Sequence, residues 1–186
     1  MSLELLVGPM FAGKSSAIQS IVRRHQALSW PVFVITHSDD TRYSLEPAIV
    51  NHDGLAMPAY ATSHLASVIS HPEFLTSKLV IIEEAQFFTG LVPFVLHAVD
   101  DLKKHVVVVG LDGDVLRRPF GAILNLVPYC DKITKLTAMC KLCGDGTPAI
   151  FTAAVDPGAA DSAVRGLPCV GAGDKYAALC RRHFIA

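Results

Sequence analysis

Along this chain, short runs that are apolar at nearly every position alternate with stretches whose apolar residues recur at helical spacing. Leu3 to Val7 (LELLV) is the first such run and stops at Gly8. Val32 to Thr36 (VFVIT), Lys78 to Glu84 (KLVIIEE) and His105 to Leu111 (HVVVVGL) follow, all rich in β-branched residues and so predicted as strands. Between them SSAIQSIVRRHQAL carries Ile18, Ile21 and Val22 on one helical face, and SHLASVIS and GLVPFVLHAVDDLKK are predicted as further helices, the last with Pro93 in an early turn. A strand that is apolar on both faces cannot leave either in water. The pattern therefore predicts an α/β fold, a parallel sheet with helices on both sides. Ligands of such sheets bind beyond the carboxyl ends of the strands.

After about Leu136 the pattern changes. Residues 137–186 hold most of the cysteines, the turn-rich GDGTP, DPGAAD and GAGD, and only short apolar stretches such as AIFTAAV. Two domains are expected, 1–136 and 137–186. The second has too little core to stand alone, so a bound metal is expected to help hold it.

Composition narrows the partners. With 186 residues, 51% apolar and 18% charged, the chain suits an ordered domain with a small appendage. A net charge of -1 supplies no positive field for nucleic acid or an anionic membrane, which favours a small-molecule partner. No apolar run approaches the roughly 20 residues of a membrane span, and the first residues lack the pattern of a signal peptide, so a soluble, cytoplasmic protein is expected. Five cysteines, an odd number, suit a disulfide framework poorly.

The first predicted strand runs into GPMFAGKS, which fits G-x-x-x-x-G-K-[ST] in the strand-to-helix setting that this motif requires. Backbone N–H groups of Gly8, Pro9, Met10, Phe11, Ala12, Gly13, Lys14, Ser15 and Ser16, less the proline's, would cradle a triphosphate at the helix start. Lys14 would reach the terminal phosphates and the Ser15 hydroxyl would bind Mg²⁺. The third strand ends in IIEEAQFF, where an acidic residue could hold the metal or activate a nucleophile; as strand neighbours, Glu83 and Glu84 point opposite ways. LDGDVLRRPFG reads as a turn and a helix start more often than as a site. Asp40 and Arg42, after the second strand, could serve metal and phosphate or form a surface ion pair.

Cys140, Cys143, Cys180 and His183 form C-x-x-C and C-x-x-H, two half-sites of a tetrahedral zinc site. With all four positions filled by protein, that zinc would be structural. Cys130 is expected to be a buried small hydrophobe.

Together, GPMFAGKS, DTRYS, EEAQFF, LDGDVLRRPFGAILNLVP, KLTAMCKLC and GDKYAALCRRH closely resemble the thymidine kinases of the cytosolic, zinc-containing type, in order along nearly the whole chain. The resemblance implies a RecA-like P-loop domain, a small zinc-bearing lasso domain and a homotetramer. It also implies transfer of the γ-phosphoryl of ATP, with Mg²⁺, to the 5′-hydroxyl of thymidine or deoxyuridine, and feedback binding of thymidine triphosphate. By motif, Glu84 resembles the family's general base. Lys14 and Arg42 would stabilise the transferring phosphoryl, and Ser15, Asp40 and Glu83 would hold Mg²⁺. A nucleoside slot is implied at Met10, Phe87, Leu111, Phe120 and Tyr176, joined by Thr152, Leu167, Cys169 and Val170 of the lasso. There, main-chain groups of GLPCVGAG would bond the pyrimidine edge.

The chain departs from the family where relatives carry D-E-G-Q: here stand Glu83, Glu84, Ala85 and Gln86. Val115 replaces a common aromatic, and His183 replaces a common cysteine ligand. These departures leave open a second class, a catalytically impaired kinase-like subunit that binds nucleotide and acts through assembly. A RecA-like ATPase acting on nucleic acid would need a basic or aromatic strand-binding surface, which the near-neutral charge does not favour.

Overall fold

A computed structural model describes residues 1–38, 48–50, 56–156, 158 and 175–186. The strands in chain order are β1 (Ser2–Val7), β2 (Val32–His37), β3 (Ala48–Val50), β4 (Ala56–Pro58), β5 (Tyr60–Thr62), β6 (Leu79–Ile82), β7 (His105–Gly110) and β8 (Lys132–Lys135). Six of them form one sheet in the order β5-β2-β6-β7-β1-β8, with every pairing parallel. β3 and β4 pair separately as an antiparallel ribbon.

Both faces of the sheet are buried, which is why its strands have so few polar positions. On one face Leu3, Leu5, Ile35, Val80, Ile82, Val106 and Val108 pack with Phe74, Leu91, Phe94, Val95, Ile123 and Leu126. On the other, the alternate residues Leu6, Val34, Ile81, Val107 and Val109 meet Ile18 and Val22 of helix α1 (Lys14–Gln26). That helix ends with Arg23, Arg24 and His25 in its last turn, where positive charge complements the helix dipole. Ile18 is 0% exposed, so Ile18→Ala should cost about 2–5 kcal/mol of stability in a denaturant melt. A loss under about 1 kcal/mol would mean that α1 does not anchor this face.

Two predicted helices are altered. SHLASVIS supplies only the 3₁₀ turn Leu65–Val68, with its two ends buried; one i,i+3 apolar pair suits such a turn. The segment after Gly90 is α-helical over Leu91–Leu96 and widens to a π-turn at His97–Asp101. Leu91, Phe94, Val95, Ala98 and Val99 nevertheless keep one buried face. Edge strands β5 and β8 carry no long apolar run, since each pairs on one side only and β8 is largely exposed.

Beyond Leu136, whose N–H bonds Val7 O at the end of the sheet, the architecture changes. β9 (Ala138–Met139) pairs with β10 (Pro148–Ala149), and β11 (Phe151–Ala154) with β12 (Tyr176–Leu179), both antiparallel; helix Arg181–Ile185 follows. Their shared core is small: Ala138, Cys140, Ala149, Ala177, Ala178, Leu179 and Cys180. It is tied to the sheet by the Arg117 guanidinium, 5.6 Å from the Phe151 ring and 5.1 Å from that of Phe184.

Candidate active site

The loop between β1 and α1 is the centre of the site. Gly8, with φ of 154°, lies so close to the chain leaving β8 that a Cβ there would sit 2.5 Å from Leu136 O. Gly13, in the left-handed region, sets the start of α1. Lys14 Nζ donates to Pro9 O at 2.8 Å and to Gly8 O at 3.2 Å, so the ammonium already lies along the loop. Ser15 Oγ donates to Glu83 Oε1 at 2.9 Å, bridging the loop to the end of β6 across the intervening β7. A hydroxyl beside a carboxylate is the all-oxygen donor chemistry that suits Mg²⁺.

β6 ends at Ile82, and the two acidic residues after it part company. Glu83 turns to Ser15. Glu84 takes the left-handed conformation, φ 52° and ψ 38°, which is uncommon for a residue with a side chain and costs about 1–3 kcal/mol. Its carboxylate accepts from Gln86 Nε2 at 2.5 Å, and it is 8% exposed. Ala85 has no positive φ and is fully buried in the core, so the backbone here does not require glycine.

The turn after β7 forms the next wall. Gln86 Oε1 accepts from Leu111 N at 3.0 Å. Phe120 meets Phe87 edge to face at a centroid distance of 5.5 Å, and Phe87 also contacts His37 at 5.7 Å. Asp112 pairs with Lys135 at 2.5 Å, and Asp114 caps its own turn through Leu116 N and Arg118 N. From β11, Thr152 Oγ1 accepts from Met10 N at 3.0 Å, joining that strand directly to the phosphate loop. A cleft of about 210 Å³ separates the two parts, lined by residues that include Pro9, Asp112, Arg117, Phe151 and Thr152. Tyr176, on β12, is buried. Of the other residues singled out in the sequence, Asp40, Arg42, Leu167, Cys169 and Val170 lie outside the described residues. Cys130 is half-buried at the edge of the core rather than enclosed, because it caps a surface turn and its thiol bonds Val127 O.

The half-sites Cys140/Cys143 and Cys180/His183 come together, with all four ligand atoms within 4.8 Å of one another. Tetrahedral zinc with bonds of about 2.3 Å to sulfur and 2.0–2.1 Å to nitrogen sets edges of about 3.8 Å between sulfurs and about 3.6 Å from sulfur to nitrogen. Here Cys143 Sγ and Cys180 Sγ are 3.8 Å apart, and His183 Nδ1 is 3.4, 3.3 and 3.5 Å from Cys140, Cys143 and Cys180. The cluster therefore fits zinc. Burial works to raise the Cys140 thiol, but hydrogen bonds from the Cys180 backbone and His183 prevail and bring it down to about 5. Burial pushes Cys143 up.

Gln86, which ties Glu84 to Leu111, escaped the sequence reading as a functional residue. Its position in EEAQFF, two residues past the acidic pair, was the available signal.

A parallel sheet with a phosphate-binding loop at the head of its first helix and a carboxylate pair at the end of β6, two strands away, defines a P-loop nucleotide-binding protein. The family model for thymidine kinase matches residues 1–184, and the chain belongs to that family. Thymidine kinase a of Arabidopsis thaliana is 36% identical over 99% of this chain and 75% of its own. A thymidine kinase of Oryza sativa subsp. japonica is 37% identical over 98% and 66%, and the cytosolic thymidine kinase of Homo sapiens 36% identical over 96% and 71%. The chain thus spans 66% to 75% of the length of these relatives.

Proposed function

We propose that this chain is an ATP-dependent kinase that transfers the γ-phosphoryl of ATP to the 5′-hydroxyl of thymidine or deoxyuridine, as nucleotide salvage for DNA synthesis requires. The observation that carries this reading is the divergence of the two carboxylates after β6. Glu83 lies against Ser15 of the phosphate loop, while Glu84 is turned the other way and held by Gln86 beside the Leu111 wall. The contact with the loop supports a role for Glu83 toward the donor and its metal, and the bond to Gln86 beside Leu111 supports a role for Glu84 toward the acceptor.

Glu84 accepts the proton of the 5′-hydroxyl as the oxygen attacks the γ-phosphorus, and the bond from that phosphorus to the β,γ-bridging oxygen breaks to release ADP. The loop residues from Gly8 to Ser16 bind the triphosphate, and Lys14 with Arg42 offsets charge on the transferring group. Ser15, Asp40 and Glu83 would hold Mg²⁺, which would supply charge neutralisation at the phosphate oxygens. Met10, Phe87, Leu111, Phe120, Thr152 and Tyr176 are assigned to nucleoside binding, and Leu167, Cys169 and Val170, outside the described residues, are assigned with them by the family resemblance alone. The order supported by the change in architecture after Leu136 is a nucleotide-binding domain, 1–136, and a zinc-binding lasso, 137–186, with zinc on Cys140, Cys143, Cys180 and His183.

Family membership further supports a cytoplasmic homotetramer with feedback binding of thymidine triphosphate. Among the described residues no helix is long and apolar enough to cross a membrane. A coupled assay of ADP release with thymidine, deoxyuridine, deoxycytidine and no nucleoside tests the reading. Turnover is expected with the first two alone. Equal ADP release without nucleoside would make the chain an ATPase, and tight thymidine binding without turnover would favour the impaired-subunit class.

A further inference from the structure

We propose that Gln86 is a positioning residue that locks the acceptor side of the site, fixing the Glu84 carboxylate and the Leu111 wall as one unit; this rests on the reading of Glu84 as the base. The side chain is 4% exposed and both ends of its amide are committed. Its orientation is settled by chemistry. Leu111 N can only donate, so the atom facing it at 3.0 Å is Oε1, and Nε2 is left to donate to Glu84 Oε2.

The slot that holds it is built from two glycines on other elements. A Cβ on Gly110, the last residue of β7, would strike Gln86 Oε1; a Cβ on Gly121, with φ of 60°, would strike the Gln86 carbonyl. Gln86 can sit between the sheet and the turn after it only because neither neighbour has a side chain. Glu84 is in a left-handed conformation that its own φ and ψ preferences disfavour, so its aim depends on such outside support. The hydrogen bond donated by the Gln86 side-chain amide supplies that support to the carboxylate. Through Leu111, the same side chain sets the distance between the base and the nucleoside slot.

Gln86→Met, which keeps length and removes both hydrogen bonds, should lower kcat about 10–100-fold, raise KM for thymidine, and leave KM for ATP within about twofold. In the Glu84→Gln background the same change should lower kcat by less than about twofold, because its target is already gone. Gly110→Ala keeps every polar group but crowds the amide, and should reproduce the kcat loss. A Gln86→Met enzyme that melts earlier yet keeps its kcat would make the residue merely structural and overturn the proposal. So would an equal loss in both backgrounds, which would show that Gln86 does not act through Glu84. Full turnover in Glu84→Gln alone would instead remove the base, and with it both readings.

Discussion

Glu84→Gln is expected to lower kcat with thymidine by about 10²–10⁴-fold, the range for removing a positioned general base, while KM for ATP and the melting temperature stay close to those of the parent. The stability expectation follows from geometry. Glutamine has the same shape, its amide oxygen can still accept from Gln86 Nε2, and the site loses one of two adjacent carboxylates. Glu84→Gly gives a sharper contrast. It should lose turnover equally with little change in melting temperature, because glycine takes φ 52° without the cost that a side chain carries there while the buried Gln86 Nε2 loses its acceptor. Steady-state kinetics beside a thermal melt checks both variants. Unchanged turnover in Glu84→Gln would remove Glu84 as base.

Replacing Cys143 with Ser is expected to lower bound zinc from about one ion per chain to well below that, and to abolish nucleoside turnover with it. Structural zinc is worth about 10–16 kcal/mol in small metal-dependent units. The core it would support consists largely of alanines and the cysteines themselves, which bury too little apolar surface to replace it. Loss of the metal should therefore unfold residues 137–186 and remove Thr152 from Met10 N. The 1–136 part carries both faces of the large core and should stay folded. Metal analysis, limited proteolysis and the kinase assay test the chain of cause. Unchanged zinc content would show that Cys143 is not a ligand, and full activity without zinc would separate the metal from the site.

The legibility of this protein in its sequence varied with how many sides of an element are buried. The four central strands were evident because residues such as Val106 to Val109 are apolar at every position, the mark of a strand covered on both faces. β8, at the edge, has the burial of a surface segment and reads as a connection until Glu4 to Val7 pair with it. The helix expected in SHLASVIS shrank to one turn because only Leu65 and Val68 had a core to meet. In the site, the loop motif and the four metal ligands were named from their spacing. The orientation of Glu84 was not, since its left-handed backbone is imposed by neighbours.

By itself, the sequence determined the local chemistry: a glycine-bounded loop that can bind phosphate, a pair of carboxylates closing a strand, and two cysteine half-sites with zinc spacing. These are short-range properties, set by residue type and by separations of a few positions. Only the tertiary structure decided how they combine. The pairing of β11 with β12 brings Cys180 and His183 back to Cys140 and Cys143. The placing of β7 between β1 and β6 lets Ser15 reach Glu83, and Gly110 and Gly121 open the slot through which Gln86 reaches Glu84. The reason is physical: each of these contacts joins residues far apart in the chain, and their distances come from sheet order and packing, which no local pattern encodes.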